Sequence, residues 1–466
     1  MAGSGIGGSR VTRSIIEAIR AELPDLRLLT DEIDRESYRS DEASYLKSEL
    51  PLAVVLPETT DQVSAIVRLA AEHQTPIVPR GAGTGLSGAS GGIQDGITVS
   101  FTRMNRILEI DKANLIAVAQ PGVINADLKA AVAKEGLFYP PDPASFEICS
   151  IGGNIGTNAG GLCCVKYGVT RDSVMGLEVV LADGSVIRTG SRNVKDVAGY
   201  ALTHLFVGSQ GTLGLVTEAT LRLRPAPPPK ATLLAFFAET DGAGDAVERI
   251  TAAGLVPCTL ELMDRVTIRA VNEAFHLDLP DAAALLLIES DLPGAAAHAE
   301  LDAASAAAEA AGAIEQVRAT NALEADGLRQ ARRLALRAIE RLGATRMEDV
   351  GAPRSKLVEL LDAIQRVVSE RGLNCGTFGH AGDGNLHPTF WWERGDAEAE
   401  ARVTAACEEL YRAAIDLGGT VTGEHGIGVA RLKFLELQRG PDAVRVMHQI
   451  KAALDPQNIL NPGRAV

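Results

Sequence analysis

The chain has 466 residues, 46% of them hydrophobic and only 4% aromatic, with 47 glycines. That length exceeds what one hydrophobic core usually spans, so two or more packed units are expected, rich in tight turns rather than fibrous or disordered. Sixty acidic against forty-five basic side chains leave a formal net charge of -15, and no Lys/Arg run is long enough to track a phosphate backbone, which excludes nucleic acid as an expected partner.

Residues 1–10 are Gly/Ser-rich, with neither a basic start nor an apolar core, and nowhere do ~18 uninterrupted apolar residues occur. The expected location is the cytoplasm, without a transmembrane segment; attachment to a membrane surface and a homodimer are both left open. Six cysteines, at 149, 163, 164, 258, 375 and 407, show no Cys-x-x-Cys spacing, so neither a disulfide framework nor an iron–sulfur or zinc-ribbon site is implied. The adjacent pair Cys163 and Cys164 reads as two small packing residues, since neighbouring cysteines bridge only with strain.

In chain order, a helix over 11–22 precedes a strand over 51–57 and an amphipathic helix over 60–73, with Val63, Ile66, Val67 and Ala70 on one face and Thr60 or Asp61 as its cap. A strand over 75–79 runs into a Gly-rich loop reaching Gly96, and a strand over 97–101 follows. A second segment, 115–224, alternates strands at 116–119, 177–181, 185–189 and 217–223 with a helix near 126–135. Prolines within 225–229 can continue neither a helix nor a sheet ladder and mark the main domain boundary. Beyond them come strands at 231–237 and 283–289, Ala-rich helices at 296–311 and 323–342, and a helical tail at 444–454 with a turn-rich ending. Strand–helix–strand order predicts an α/β or α+β chain.

Gly83, Gly85 and Gly88 match the dinucleotide fingerprint G-x-G-x-x-G, but that motif needs a helix opening directly from the loop and an acidic residue about twenty positions on. Here more turn residues follow, then a strand. What residues 79–88 offer is a run of backbone amides unobstructed by side chains, plus the Thr84 hydroxyl, able to wrap a diphosphate. Alone, an ordinary flexible loop is the competing reading, and the lesser of the two. It is followed by a second cluster at 150–161, with the amides of Asn154 and Asn158, and a third at 208–214. Three glycine-dense loops suit a large planar cofactor with a diphosphate tail.

Of eight histidines, His380 and His387 flank a turn containing Gly382-Asp383-Gly384. A two-residue hairpin turn at Asp383-Gly384 makes them face each other; one at Gly382-Asp383 makes them diagonal neighbours on one face, about 7–8 Å apart at Cα. Glu424 and His425 stand side by side in a later Gly-bounded turn. Two imidazoles plus one carboxylate suit a first-row divalent ion, Zn²⁺, Mn²⁺ or Fe²⁺, with a position left open for substrate.

With these loops in this order, the closing Asn461-Pro462-Gly463 and the histidine motifs, the chain resembles the FAD-linked oxidase family, which includes D-lactate, glycolate and D-2-hydroxyglutarate dehydrogenases. The resemblance runs from about Pro51 to Gly463. It implies an α+β fold, with a vanillyl-alcohol-oxidase type FAD-binding domain in two α+β halves and a cap domain carrying an antiparallel sheet. The expected division is 1–226 for the FAD-binding domain, 227–422 for the cap, and 423–466 returning to the FAD domain.

By the same resemblance Arg80, Gly81, Ala82, Gly83, Thr84, Gly85, Leu86 and Ser87 would hold the pyrophosphate. Gly152, Gly153, Asn154, Thr157, Asn158, Gly160, Gly161 and Val216 would lie along the flavin and its ribityl chain, and Asn461 would close the pocket. Some relatives tether FAD through a histidine in the first loop; positions 82–86 here hold none, so FAD is expected to be dissociable. The family's motifs imply metal ligation by His380, His387 and Glu424, leaving His425 as the base that takes the hydroxyl proton. Arg332 aligns with the substrate-binding arginine, although with Arg329 and Arg333 beside it a solvated basic helix face is an equal reading.

The expected reaction is therefore oxidation of a small D-2-hydroxy acid, with electrons passing to a separate acceptor, a quinone, a cytochrome or an electron-transfer protein. Relatives that take D-2-hydroxyglutarate resemble one another in a lysine and an asparagine, where this chain has Met347 and Thr389; their loss favours D-lactate or glycolate. The competing readings are a D-2-hydroxyglutarate dehydrogenase, a peroxide-forming oxidase of the same fold, a colourless metal-dependent hydrolase, and a non-catalytic FAD-binding subunit, the last opposed by the intact histidine cluster.

Overall fold

Short, largely buried runs set the first sheet. Ala53–Leu56, Ile97–Ser100 and Ile77–Arg80 are parallel neighbours, and Arg27–Leu29 adds antiparallel at the edge. Every residue of Ala53–Leu56 is buried, as a strand covered on both faces requires. In the computed structural model, which describes residues 8–466, this sheet belongs to a first unit that takes the chain up to Ala159, then Val169–Ala226 and Glu424–Val466. The expectation for the first seven residues lies outside the described residues.

The helix Thr60–Glu72 buries Val63, Ile66, Val67 and Ala70 in a core shared with Ile15, Ile19, Ile77, Ile97 and Val99. Its cap is Thr59, whose Oγ1 accepts from the Gln62 amide at 3.3 Å, not Thr60 or Asp61. Thr60 is the first helical residue, and its hydroxyl donates to Glu178 at 2.6 Å. The second sheet of this unit is antiparallel, in the order Ile107–Asp111, Ile116–Ala119, Leu215–Arg222, Val174–Val180, Val186–Gly190. Leu215–Arg222 alternates buried and more exposed residues, the period of two that one covered face produces. The C-terminal residues join the first sheet: the Ile77 amide donates to Ile459 O at 2.7 Å, and the Asn461 amide to Ile77 O at 2.8 Å.

The second unit holds residues 160–168 and Pro227–Gly423. Its antiparallel sheet runs Ala313–Arg318, Ala231–Phe237, Ala284–Ser290, Thr259–Asp264, Asn374–His380, Asn385–Trp392, Ala344–Met347, with Val350–Gly351 also pairing with Asn385–Trp392. One face carries Leu234, Phe236, Leu285, Leu287, Met263 and Phe378, covered by Ala331, Ala335, Ala338 and Ile339. The latter come from two helices, Ala322–Arg333 and Ala335–Glu340, where the sequence predicts one. The architecture is α+β. All six cysteines are free, and no described helix is long and apolar enough to cross a membrane.

Candidate active site

In the first unit no helix opens from the loop after Ile77–Arg80; the next regular element is the strand Ile97–Ser100. Among the described residues, none of the amides of residues 81–86 donates to a backbone carbonyl. Half-buried donors left open in this way fit a diphosphate, whose oxygens would take them. Arg80 works beneath the loop: its guanidinium donates to Ser40 O at 3.0 Å and Ser90 O at 3.2 Å, and lies 5.6 Å from the Tyr38 ring centroid. Burial pushes the Asp41 carboxyl up, against amide donors from Ala43, Ser90 and Gly88 and the charge of Arg80.

The second glycine cluster is in part a short helix, Ile151–Thr157, capped by Ser150, whose Oγ accepts from Gly153 N at 3.2 Å. Two of its polar side chains are engaged within the protein. Asn154 Oδ1 accepts from Asn125 Nδ2 at 3.0 Å, and Asn158, left-handed at φ 55°, accepts the Arg171 amide at 2.8 Å. The Thr157 hydroxyl donates to Gly153 O at 3.2 Å. Gly152 lies in the helix; Gly160 and Gly161 open the segment belonging to the second unit; Val216 is half-buried in Leu215–Arg222.

Sequence reasoning missed Gln210. Buried and left-handed at φ 52°, it donates to Ser87 Oγ at 3.2 Å, accepts the Gly428 amide at 2.9 Å on its side chain, and accepts Asn461 Nδ2 at 2.7 Å on its carbonyl. Asn461 also donates to Ala89 O at 3.0 Å, while its Oδ1 is buried with no partner among the described residues. An orphaned acceptor on a residue tied to the end of the loop at Ala89, together with the open loop amides, is what removing a bound cofactor would leave, so these residues fit FAD.

In the second unit, His380 and His387 lie on the strands Asn374–His380 and Asn385–Trp392. Phe378 pairs with His387 and His380 with Asn385, the diagonal register. The turn differs from the expected two residues: a single 3-10 turn, Ala381–Asp383, leads to Gly384 at φ 73°. A side chain on Gly384 would meet Ala352 O at 2.2 Å. Both even-numbered connections give the same facing, and the two ring centroids are 5.2 Å apart, nearly perpendicular at 87°.

Each imidazole has its Nδ1 turned to the protein. His380 Nδ1 lies 2.7 Å from Glu261 Oε1, and His387 Nδ1 lies 3.3 Å from Glu348 O. With Nδ1 donating, both rings present Nε2 as a ligand atom. Thr422 Oγ1 donates to Asp349 at 2.6 Å, and Asn385 donates to the same carboxylate at 2.7 Å. Gly423 is so close to Asn385 that a Cβ would sit 2.4 Å from its amide nitrogen. The division between the units falls at the next peptide bond, between Gly423 and Glu424. One ligand atom from each of His380, His387 and Glu424 lies within 4.8 Å of the others, a donor set that fits a divalent ion. His425, also buried, has Nε2 3.8 Å from Glu424 Oε1.

Arg332 is not on a solvated helix face. It is 4% exposed, its guanidinium 2.7 Å from Glu261 Oε2 and 4.8 Å from the Phe378 ring centroid. Its neighbour Arg329 pairs instead with Glu289 at 2.7 Å. Glu261, the bridge between His380 and Arg332, was also missed.

Two family models match the chain: an FAD binding domain over residues 51–190, and the C-terminal domain of FAD linked oxidases over 226–465. The glycolate oxidase subunit GlcD of Bacillus subtilis is 47% identical over 89% of this chain and 89% of its own length. A D-lactate dehydrogenase of Anaerostipes hadrus is 35% identical over 98% of both chains. Among solved structures, p-cresol methylhydroxylase superposes with a TM-score of 0.78 at 19% identity, covering 99% of this chain and 98% of its own, which shows the fold. The chain therefore belongs to the FAD-linked oxidase family and is an FAD-dependent oxidoreductase of the vanillyl-alcohol-oxidase fold type.

Proposed function

We propose that the protein oxidises a small D-2-hydroxy acid, glycolate or D-lactate, to the 2-oxo acid, using dissociable FAD and a divalent metal and passing electrons to a separate acceptor. The observation that carries this reading is the gathering of His380, His387 and Glu424 around one point, with the Nδ1 of each imidazole held by the protein. It sits in a chain whose relatives include proteins named for glycolate and D-lactate.

When bound, FAD supplies the hydride acceptor, and a metal held by His380, His387 and Glu424 supplies Lewis acidity toward the substrate hydroxyl. The chain's own groups do the rest. Arg332, stacked on Phe378, takes the substrate carboxylate and fixes the α-carbon's orientation. His425 accepts the hydroxyl proton on its imidazole, and the neighbouring Glu424 carboxylate stabilises the imidazolium that forms. Burial of both histidine ligands and of Arg332 excludes water, strengthening every charge interaction there.

The test is anaerobic absorption near 450 nm of FAD- and metal-loaded protein during addition of glycolate, D-lactate, L-lactate and D-2-hydroxyglutarate. Bleaching by glycolate or D-lactate is expected. Flavin that none of the four reduces would remove the substrate assignment.

A further inference from the structure

Glu261 occupies a position that strand chemistry would give to a hydrophobe. On Thr259–Asp264 it shares a face with Met263, and Met263 pairs with Phe378 of the histidine strand, so Glu261 projects among the residues that build that core. It is 1% exposed. A carboxylate so placed is costly unless it is paired: Oε1 lies 2.7 Å from His380 Nδ1, and Oε2, which makes no well-aligned hydrogen bond, lies within ion-pair distance of Arg332 Nη2 at 2.7 Å. One residue thus touches both a candidate metal ligand and the candidate carboxylate anchor.

The two contacts have opposite consequences. Toward His380, the carboxylate requires the proton on Nδ1 and raises the basicity of Nε2, which favours a metal. Toward Arg332, it already neutralises the guanidinium and so competes with an arriving anion. Arg332 is not used up by this, since its Nε is buried with no partner among the described residues. The Nε donor, beside the Nη2 group that Glu261 holds, can take a substrate carboxylate and release the product.

We propose that Glu261 is a positioning residue that strengthens metal binding through His380 while weakening anion binding at Arg332, keeping affinity for the 2-oxo acid low enough for turnover. This rests on the function proposed above, specifically on metal ligation by His380 and on Arg332 as anchor. The electrostatics fix the signs: loss of the Glu261 charge makes the metal bind less tightly and the anion more tightly. A residue that merely fills space would move both affinities the same way or neither.

The experiment measures two affinities on FAD-loaded protein by calorimetry at one pH: Zn²⁺ binding to chelator-stripped protein, and pyruvate binding to the stripped protein, for wild type, Glu261→Gln and Glu261→Asp. Glu261→Gln should weaken Zn²⁺ binding about 10–100-fold. It should tighten pyruvate binding several-fold. Glu261→Asp, which withdraws the carboxylate from both partners, should shift both in the same senses by less, and serves alone if the glutamine variant does not fold. Unchanged Zn²⁺ affinity, or pyruvate binding that is unchanged or weakened, would overturn the proposal while leaving the function intact. Wild-type protein that binds no stoichiometric metal would overturn the metal reading itself, and this proposal with it.

Discussion

Met347 stands directly opposite Thr389 in the register of Ala344–Met347 and Asn385–Trp392. Direct partners share a face, and Thr389 lies two residues beyond His387 on the same strand, so all three side chains line one face. Thr389 is fully buried, and its hydroxyl donates to His387 O at 3.1 Å. Met347 and Thr389 therefore form one uncharged patch beside a candidate ligand. D-2-hydroxyglutarate should be a poorer substrate than glycolate or D-lactate. Met347→Lys should raise kcat/KM for the dicarboxylate on the order of tenfold, about 1.4 kcal/mol. Steady-state kinetics with the three acids checks this, and an unchanged preference would sink the assignment.

His425→Asn removes the proposed proton acceptor but neither a candidate metal ligand nor a residue of the glycine loops. Flavin reduction measured by stopped flow should fall by roughly 10²–10⁴, while the spectrum of bound FAD and the metal content stay as in wild type. A rate within threefold of wild type would show that the base lies elsewhere.

Gln210 joins three segments far apart in sequence: Ser87, Gly428 and Asn461. Gln210→Ala removes two of these bonds and keeps the third, which uses its carbonyl. The first glycine loop should lose its fixed shape, and FAD should dissociate about tenfold more readily, about 1–1.5 kcal/mol for lost hydrogen bonds. Zn²⁺ affinity should not change. Equal FAD affinities by fluorescence titration would reduce Gln210 to a connector without influence on the cofactor.

The histidine pair was legible because the spacing between His380 and His387 puts both on one face for any even-numbered turn. The turn itself was not, because it depends on Gly384 meeting Ala352 O, a contact made by the fold. Glu261 was hidden by distance, 119 residues from His380. Its one signal was local: in Thr-Leu-Glu-Leu-Met-Asp a charge falls mid-strand in an apolar run, which implies a buried partner. Distance hid other contacts as well: Asn154 accepts from the Asn125 side chain and Asn158 from the Arg171 amide, partners that a glycine-rich segment does not announce.

Two carboxylates of the second unit should give opposite pH signatures. Burial pushes Asp264 up to about 6 despite amide donors from Thr267 and Thr377. Its protonated form is therefore favoured by folding, a contribution present below its ordinary value near 3.8 and lost as the pH rises through about 6. Burial also opposes ionisation of Glu289, but Lys230 and Arg329 outweigh it and hold the carboxyl at about 2. Its contribution is present above the ordinary 4.5 and lost as the pH falls toward 2. In urea unfolding, Asp264→Asn should gain on wild type by roughly 1–3 kcal/mol between pH 4 and pH 7, discounted because Asp264 is only half-buried. Glu289→Gln should be less stable at pH 7 by about 3 kcal/mol, since Lys230 and Arg329 lose their shared partner, and that gap should narrow below pH 4.5. Parallel pH profiles for the two variants would contradict both assignments.

Metal removal should separate the two halves of the chemistry. The open amides of residues 81–86 and the Asn461 acceptor belong to the first unit, whereas His380 and His387 belong to the second. Dialysis against a chelator should therefore strip the metal and leave the FAD content and visible spectrum unchanged. Without Lewis acidity the substrate hydroxyl keeps a pKa far above that of an imidazole, so His425 cannot take its proton and flavin reduction by D-lactate should fall at least a hundredfold. Re-addition of Zn²⁺ or Mn²⁺ should restore it in wild type but not in His387→Ala, where one of the three donors is missing. Reduction at the full rate after metal analysis shows none remaining would mean that His380, His387 and Glu424 act on the substrate directly, and would remove the metal from the proposed chemistry.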